Sequence, residues 1–200
     1  MALHTESNVA NSPMPHRRLG MYTVLLDAAR HDPLGVWLAR ILSSWLAGDT
    51  ALPANLGLGE QALAALMRHH FPGITLPEHL RWRCAAPDPG RDLEREALIE
   101  LFRQHCQLSS PDADWLARIL AEGCLGEDHL WQDLGLWARG DVSALLVYGF
   151  SPLAARNVRD MKWKKFFYKQ LCEAANVQLC RAPSCDACQD YANCFGPEEG

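Results

Sequence analysis

Two hundred residues with a 48% apolar fraction suffice for one domain with its own core, or one domain plus a short appendage. The formal net charge of −5 argues against general nucleic-acid binding. No apolar run approaches the ~18 residues that a membrane span needs. The first twenty residues, "MALHTESNVANSPMPHRRLG", lack the apolar segment of a signal peptide, so a cytoplasmic protein is expected, with no membrane or nucleic-acid partner. In that compartment thiols stay reduced, and clustered cysteines read as metal ligands before disulfides.

Residues 1–17 read as a polar, disordered lead-in. From about Leu19 to Ala175 the pattern is helical. "DPLGVWLARILSSWLAG" supplies Asp32 as N-cap, Pro33 at the first helical position and Gly48 as a stop. Its apolar residues Leu34, Trp37, Leu38, Ile41, Leu42 and Trp45 recur at three- and four-residue steps. "GEQALAALMRHHFPG" repeats the logic with Leu63, Leu66 and Met67 inside and Pro72-Gly73 ending it. His69 and His70 close that helix, where positive charge suits the C-terminal dipole. The Pro-rich stretch "PGITLPEHLRWRCAAPDPG" reads as a connector.

"DLEREALIELFRQHC" returns to helix, with Leu93, Ala97, Leu98, Leu101 and Phe102 expected on one buried face. In "SSPDADWLARILAEGC", Ser110 before Pro111 signals a start, and Asp112 and Asp114 complement the first-turn dipole. "EDHLWQDLGLWARGDVSALLVYGF" predicts one or two short helices broken near Gly140, and "SPLAARNVRDMKWKKFFYKQLCEAAN" a turn and then the last long helix. Period-two alternation is nearly absent. The expected fold is all-α: a helical bundle over residues 18–178 with an irregular cysteine-rich metal-binding tail over 179–200.

Of eight cysteines, Cys180, Cys185, Cys188 and Cys194 fall within fifteen residues, as Cys-x4-Cys-x2-Cys-x5-Cys. Three chemistries are open. A structural zinc site usually pairs two Cys-x2-Cys knuckles a dozen or more residues apart, and only Cys185 and Cys188 form such a pair. Ligands staggered along one loop suit the corners of an iron–sulfur cluster better, although the spacing is not that of bacterial or plant ferredoxins. Disulfides fit the compartment poorly. Iron–sulfur is preferred and zinc stands second.

The helix preceding the cluster carries Trp163, Phe166, Phe167 and Leu171 on its apolar face, and Lys162, Lys165 and Lys169 along an adjacent stripe. Six basic residues face one acid between Arg156 and Gln170. Such a stripe is either a solvated helix face or a contact for an oxyanion, an anionic cluster or an acidic partner. Cys172, on the same helix, and His129 are possible extra ligands. Cys124, Cys106 and His105 read as packing or surface residues. No nucleophile elbow, phosphate-cradling loop or zinc-protease helix is present in the sequence, so a metal site on a helical body is expected rather than an enzyme.

The cysteine tail ending "CFGPEEG", together with "HLWQDLGL", "PLAARNVRDMKWKKFFYKQLCE" and "RHHFPG", resembles the NifQ family of nitrogen-fixation proteins, over roughly the last 130 residues. The resemblance implies an iron–sulfur cluster of the [3Fe-4S] or [4Fe-4S] type that takes up molybdenum as a Mo-Fe-S cluster. It implies donation of that molybdenum to biosynthesis of the nitrogenase iron–molybdenum cofactor, with the cofactor scaffold complex and the nitrogenase iron protein as partners. The four motif cysteines correspond to Cys180, Cys185, Cys188 and Cys194. A ferredoxin-like electron carrier and a zinc-stabilised binding module are the alternatives.

Overall fold

The computed structural model describes residues 14–30, 32–76, 88–175 and 191–195. Among them all regular structure is helical, as the sequence pattern predicts: α1 (Met14–Ala28), α2 (Pro33–Ala47), α3 (Glu60–His70), α4 (Asp92–His105), α5 (Asp112–Cys124), α6 (Leu130–Asp133), α7 (Arg139–Gly149), α8 (Ser151–Ala154), α9 (Trp163–Ala174) and α10 (Tyr191–Phe195). Met14–Arg17, counted with the lead-in on sequence grounds, form the first turn of α1.

α2 is the central helix. Asp32 caps it as expected, its carboxylate accepting from the Leu34 and Gly35 N–H groups at 3.3 and 3.1 Å. Gly48 ends it in the left-handed conformation. Eleven of its fifteen residues are buried, because α1 covers one side and α7 another. Gly35 permits the α1 approach: a Cβ there would lie 2.8 Å from the Ala29 Cβ. Ser44 and Trp45 donate across to the carbonyls of Gly135 and Pro53, at 2.6 and 3.1 Å, tying α2 to two irregular segments.

The second half of the core is aromatic. Phe102 of α4 meets Phe150 after α7 and Phe167 of α9 edge-on, at centroid distances of 5.5 and 4.8 Å, and Trp163 stacks on Phe167 at 5.8 Å. Phe102, Phe150 and Phe167 are fully buried, and each such ring is worth about 3–5 kcal/mol against alanine. This cluster clamps α9 onto α4 and so places the start of α9.

Four local expectations change. Leu93 is 91% exposed and Ala97 is also exposed, while Ile99 joins Leu98, Leu101 and Phe102 inside; packing of α5 and α9, not apolarity alone, selects the buried stripe of α4. The N-cap position of α5 falls on Pro111, not Ser110. The break between α6 and α7 lies at Leu134–Ala138, where Gly135 has φ +72°; Gly140 is inside the first turn of α7. Cys194 sits in the short helix α10 rather than in irregular chain, with Tyr191 and Phe195 stacked one turn apart at 4.4 Å.

Candidate metal centre and its cavity

Lys162, expected as one of a stripe of lysines, is the N-cap residue of α9. Its backbone N–H donates to the Cys194 carbonyl at 2.8 Å. Arg159, three residues earlier, spreads over the stacked pair of α10, 5.1 Å from the Phe195 centroid and 5.7 Å from that of Tyr191. Cys194 and Phe195 pack, partly buried, against the hydrophobic core. A hydrogen bond, a cation–π contact and apolar packing thus fix the one motif cysteine among the described residues at the start of α9. Cys180, Cys185, Cys188 and Cys84 lie outside the described residues.

Beside this junction opens a cavity of about 570 Å³, lined by Lys162 and Lys165 of α9, His129 before α6, Asn193 next to Cys194, and Cys124 with the segment that follows it. Its walls are held by two ion-pair systems. In one, Arg91 donates to both Glu94 carboxylate oxygens at 2.7 and 2.8 Å, and the Tyr168 hydroxyl donates to the same carboxylate. Burial and the Glu94 carboxylate push the Tyr168 phenol well above its usual range, so it stays a neutral donor, while Arg91 holds the Glu94 carboxyl below the usual carboxylate range. In the other, the Lys164 ammonium pairs with Asp133 and donates to the Gly126 carbonyl at 2.9 Å. The Asp133 side chain is 4% exposed; burial raises its carboxyl above the ordinary value, and Lys164 opposes that rise.

With Arg91 held by Glu94, Lys164 by Asp133 and Lys169 by Glu173 at 3.7 Å, Lys162 and Lys165 are the lining Lys/Arg residues outside an ion pair among the described residues. Glu127 and Asp128 also line the cavity and are exposed, so it carries both signs. Lys169 does not line it. Cys172 sits ten residues along α9 from Lys162, about 15 Å at 1.5 Å per residue, at the end remote from Cys194. His129 joins the cavity wall.

The remaining thiols behave as packing groups. Cys124 is packed in the core, and burial pushes its thiol up to about 12. Burial likewise raises the Cys106 thiol. Burial and nearby Arg156 lower His105. Cys194 is half-buried, next to the cavity-lining Asn193, and its carbonyl accepts from the Lys162 N–H; the buried Cys124 also lines the cavity. A soft thiolate in that position fits iron–sulfur ligation. The pairing that builds the walls was not read from sequence: Lys164–Asp133 and Tyr168–Glu94 join residues 31 and 74 positions apart, and no local signal marks such pairs.

The chain is therefore an all-helical protein, among its described residues, that carries a cysteine-bearing C-terminal segment docked beside a polar cavity. Residues 37–196 match the family model for NifQ. The "Protein NifQ" of Azotobacter vinelandii is 41% identical over 184 residues, covering 86% of this chain and 93% of that protein. The "Protein NifQ" of Rhodobacter capsulatus is 40% identical, covering 84% and 90%. The "Protein NifQ" of Klebsiella pneumoniae is 36% identical, covering 80% and 96%. No solved structure matches the chain significantly. The chain belongs to the NifQ family, whose place is in nitrogen fixation.

Proposed function

We propose that this chain is a cytoplasmic metallochaperone that gathers molybdenum on an iron–sulfur cluster and donates it to biosynthesis of the nitrogenase iron–molybdenum cofactor. The observation that carries the reading is the docking of the Cys194 segment onto the start of α9, at the rim of the cavity lined by Lys162, Lys165 and His129. Cys180, Cys185, Cys188 and Cys194 hold a [3Fe-4S] or [4Fe-4S] cluster. When bound, that cluster supplies sulfide ligands to molybdenum, which arrives as molybdate, a hard oxyanion, and is better held by soft sulfur once reduced.

The chain's own residues supply the rest. Lys162 and Lys165 attract the oxyanion to the cavity, and the ion-paired walls keep Arg91 and Lys164 from competing for it. Cys172 and His129 are candidate additional ligands; His129 is the better placed, since it lines the same cavity. Lys169, engaged with Glu173, serves at most as a contact for an acidic partner. The cofactor scaffold complex and the nitrogenase iron protein are the expected recipients. The protein is a carrier, and turnover of a substrate is not required of it.

Anaerobic reconstitution followed by iron, sulfide, molybdenum and zinc analysis tests this. Iron, sulfide and molybdenum bound together, with Cys194→Ala lowering iron and molybdenum in parallel, support the carrier. Iron and sulfide without molybdenum uptake would replace it with an electron carrier, and zinc alone would replace both.

A further inference from the structure

Three helix ends meet far from that cavity. α3 ends on His69 and His70, α2 starts at its N-cap Asp32, and α5 starts at Asp112. His70 is not the solvated dipole complement that the sequence suggests: its side chain is 2% exposed. Its Nδ1 lies 2.7 Å from the Asp32 Oδ2, and its Nε2 3.1 Å from the Asp112 Oδ1. The His69 Nε2 lies 3.9 Å from that same Asp112 oxygen. Ligand atoms of His69, His70 and Asp112 all fall within 4.8 Å of one another, the one such His/Cys/acid group among the described residues. Trp115 backs both imidazoles at 6.0 Å.

The hydrogen-bond chemistry of this corner is incomplete without a cation or an extra proton. Asp32 is anchored by two backbone N–H groups, so it accepts the Nδ1–H of His70 in a fixed orientation. A neutral ring then turns its Nε2 lone pair toward a carboxylate oxygen at 3.1 Å, acceptor against acceptor. A proton on Nε2 relieves this but neutralises only one of two carboxylates. A divalent cation balances both. Bonds of ~2.0–2.2 Å from one metal to an imidazole nitrogen and a carboxylate oxygen place those atoms about 3 Å apart when the angle is near 90°, which matches the gap observed. Asp32 takes the role of the carboxylate that orients a metal-bound histidine through its other nitrogen.

We propose that His69, His70 and Asp112 form a binding site for a first-row divalent cation, with Asp32 orienting His70. Two imidazoles and one carboxylate favour zinc, cobalt, nickel or ferrous iron over calcium or magnesium. His69 is 56% exposed at its side chain, which leaves the remaining coordination positions open to water. The site is independent of the cysteine tail. Asp112 and Cys124 stand at opposite ends of α5, twelve residues and about 18 Å apart along its axis. Its cation holds the ends of α2, α3 and α5 together rather than serving as cargo.

Anaerobic titration of the full chain with Co²⁺ tests the site, because cobalt on thiolates gives strong charge-transfer bands and cobalt on nitrogen and oxygen gives only weaker ligand-field bands. The expected result is one equivalent bound without thiolate bands in a variant with Cys180, Cys185, Cys188 and Cys194 all changed to Ser. In both backgrounds His69→Ala, an exposed and structurally tolerant change, should weaken this binding by about tenfold or more, and Asp112→Asn should do the same. The thiolate bands of the unmodified tail should survive His69→Ala. Zn²⁺ should raise the melting temperature of the four-Ser variant but not of its His69→Ala derivative. Absence of thiolate-free binding, or affinity unchanged by His69→Ala, would overturn the proposal and leave the carrier reading of the cysteines intact.

Discussion

Lys164→Met removes the only cation paired with Asp133 among the described residues and leaves that carboxyl at 4% exposure. The cost has a ceiling. Instead of staying charged and alone, Asp133 takes a proton, and protonating a group with an unfolded-state pKa of about 3.9 at pH 7.5 costs at most about 5 kcal/mol at 1.36 kcal/mol per unit. Lys164 is itself 15% exposed, so some water reaches the site and the cost falls below that ceiling. The Gly126 carbonyl also loses its donor, adding about 1 kcal/mol. A loss of about 3–5 kcal/mol at pH 7.5 results, in the range for breaking one half of a buried pair. For a chain of 200 residues this is a drop in Tm of roughly 6–20 °C.

The pH dependence carries the sharper test. The folded-state carboxyl of Asp133 is already raised by burial, and without Lys164 it rises further. A carboxyl whose folded pKa exceeds its unfolded value binds more protons in the folded state, so stability falls as pH rises between the two values and returns as pH falls. At pH 5 the protonation cost shrinks to about 1.5 kcal/mol, and the gap between variant and parent should narrow to about 1–3 kcal/mol. Urea denaturation at both pH values measures it. Lys164→Met with Asp133→Asn should lose the extra pH dependence. A single-variant loss below about 1 kcal/mol at pH 7.5, or a gap equal at the two pH values, would refute the reasoning.

Three further outcomes are expected. Cys124, buried with its thiol near 12, should resist iodoacetamide at pH 8 in the folded protein and react only on denaturation, and Cys124→Ala should leave iron content unchanged; rapid native alkylation would contradict its role as packing. Lys162→Ala with Lys165→Ala should lower molybdenum loading severalfold without lowering the urea midpoint, whereas Lys169→Ala should leave loading intact, and equal effects from the two would remove the cavity from the account. Gly57→Ala should cost about 2–4 kcal/mol, since φ is +75° and the new Cβ would stand 2.4 Å from Glu122 Cγ; the urea midpoint reads it directly.

Helix existence and many helix ends were legible because their signals are local. Asp32, Pro33 and Gly48 bound α2 as their backbone preferences dictate. What failed was the choice among equivalent local candidates. Gly135 and Gly140 both permit a break, and only the fold decides that Gly135 takes the left-handed turn against Ser44 and Thr50. Leu93 is apolar and on the periodic face, yet it protrudes at the start of α4, where none of the described helices covers it. His70 was read from its place at a helix end, and the two carboxylates that receive it come from residues 38 and 42 positions away.

The lysine stripe illustrates the same limit at the site and also what the structure adds. Periodicity places Lys162, Lys165 and Lys169 on one side of α9, but the stripe runs along about 10 Å of helix, and only its first two members reach the cavity. The cations around the cavity divide by partner. Arg91 and Lys164 are held in ion pairs that build the walls, so removing either unravels structure and function together. Lys162 and Lys165 hold no such pair among the described residues, so their charge can be removed while the cavity stands. Stability and the cavity's free charge therefore separate at this site, and a change in loading on removing those two charges can be assigned to the cavity's electrostatics rather than to its collapse.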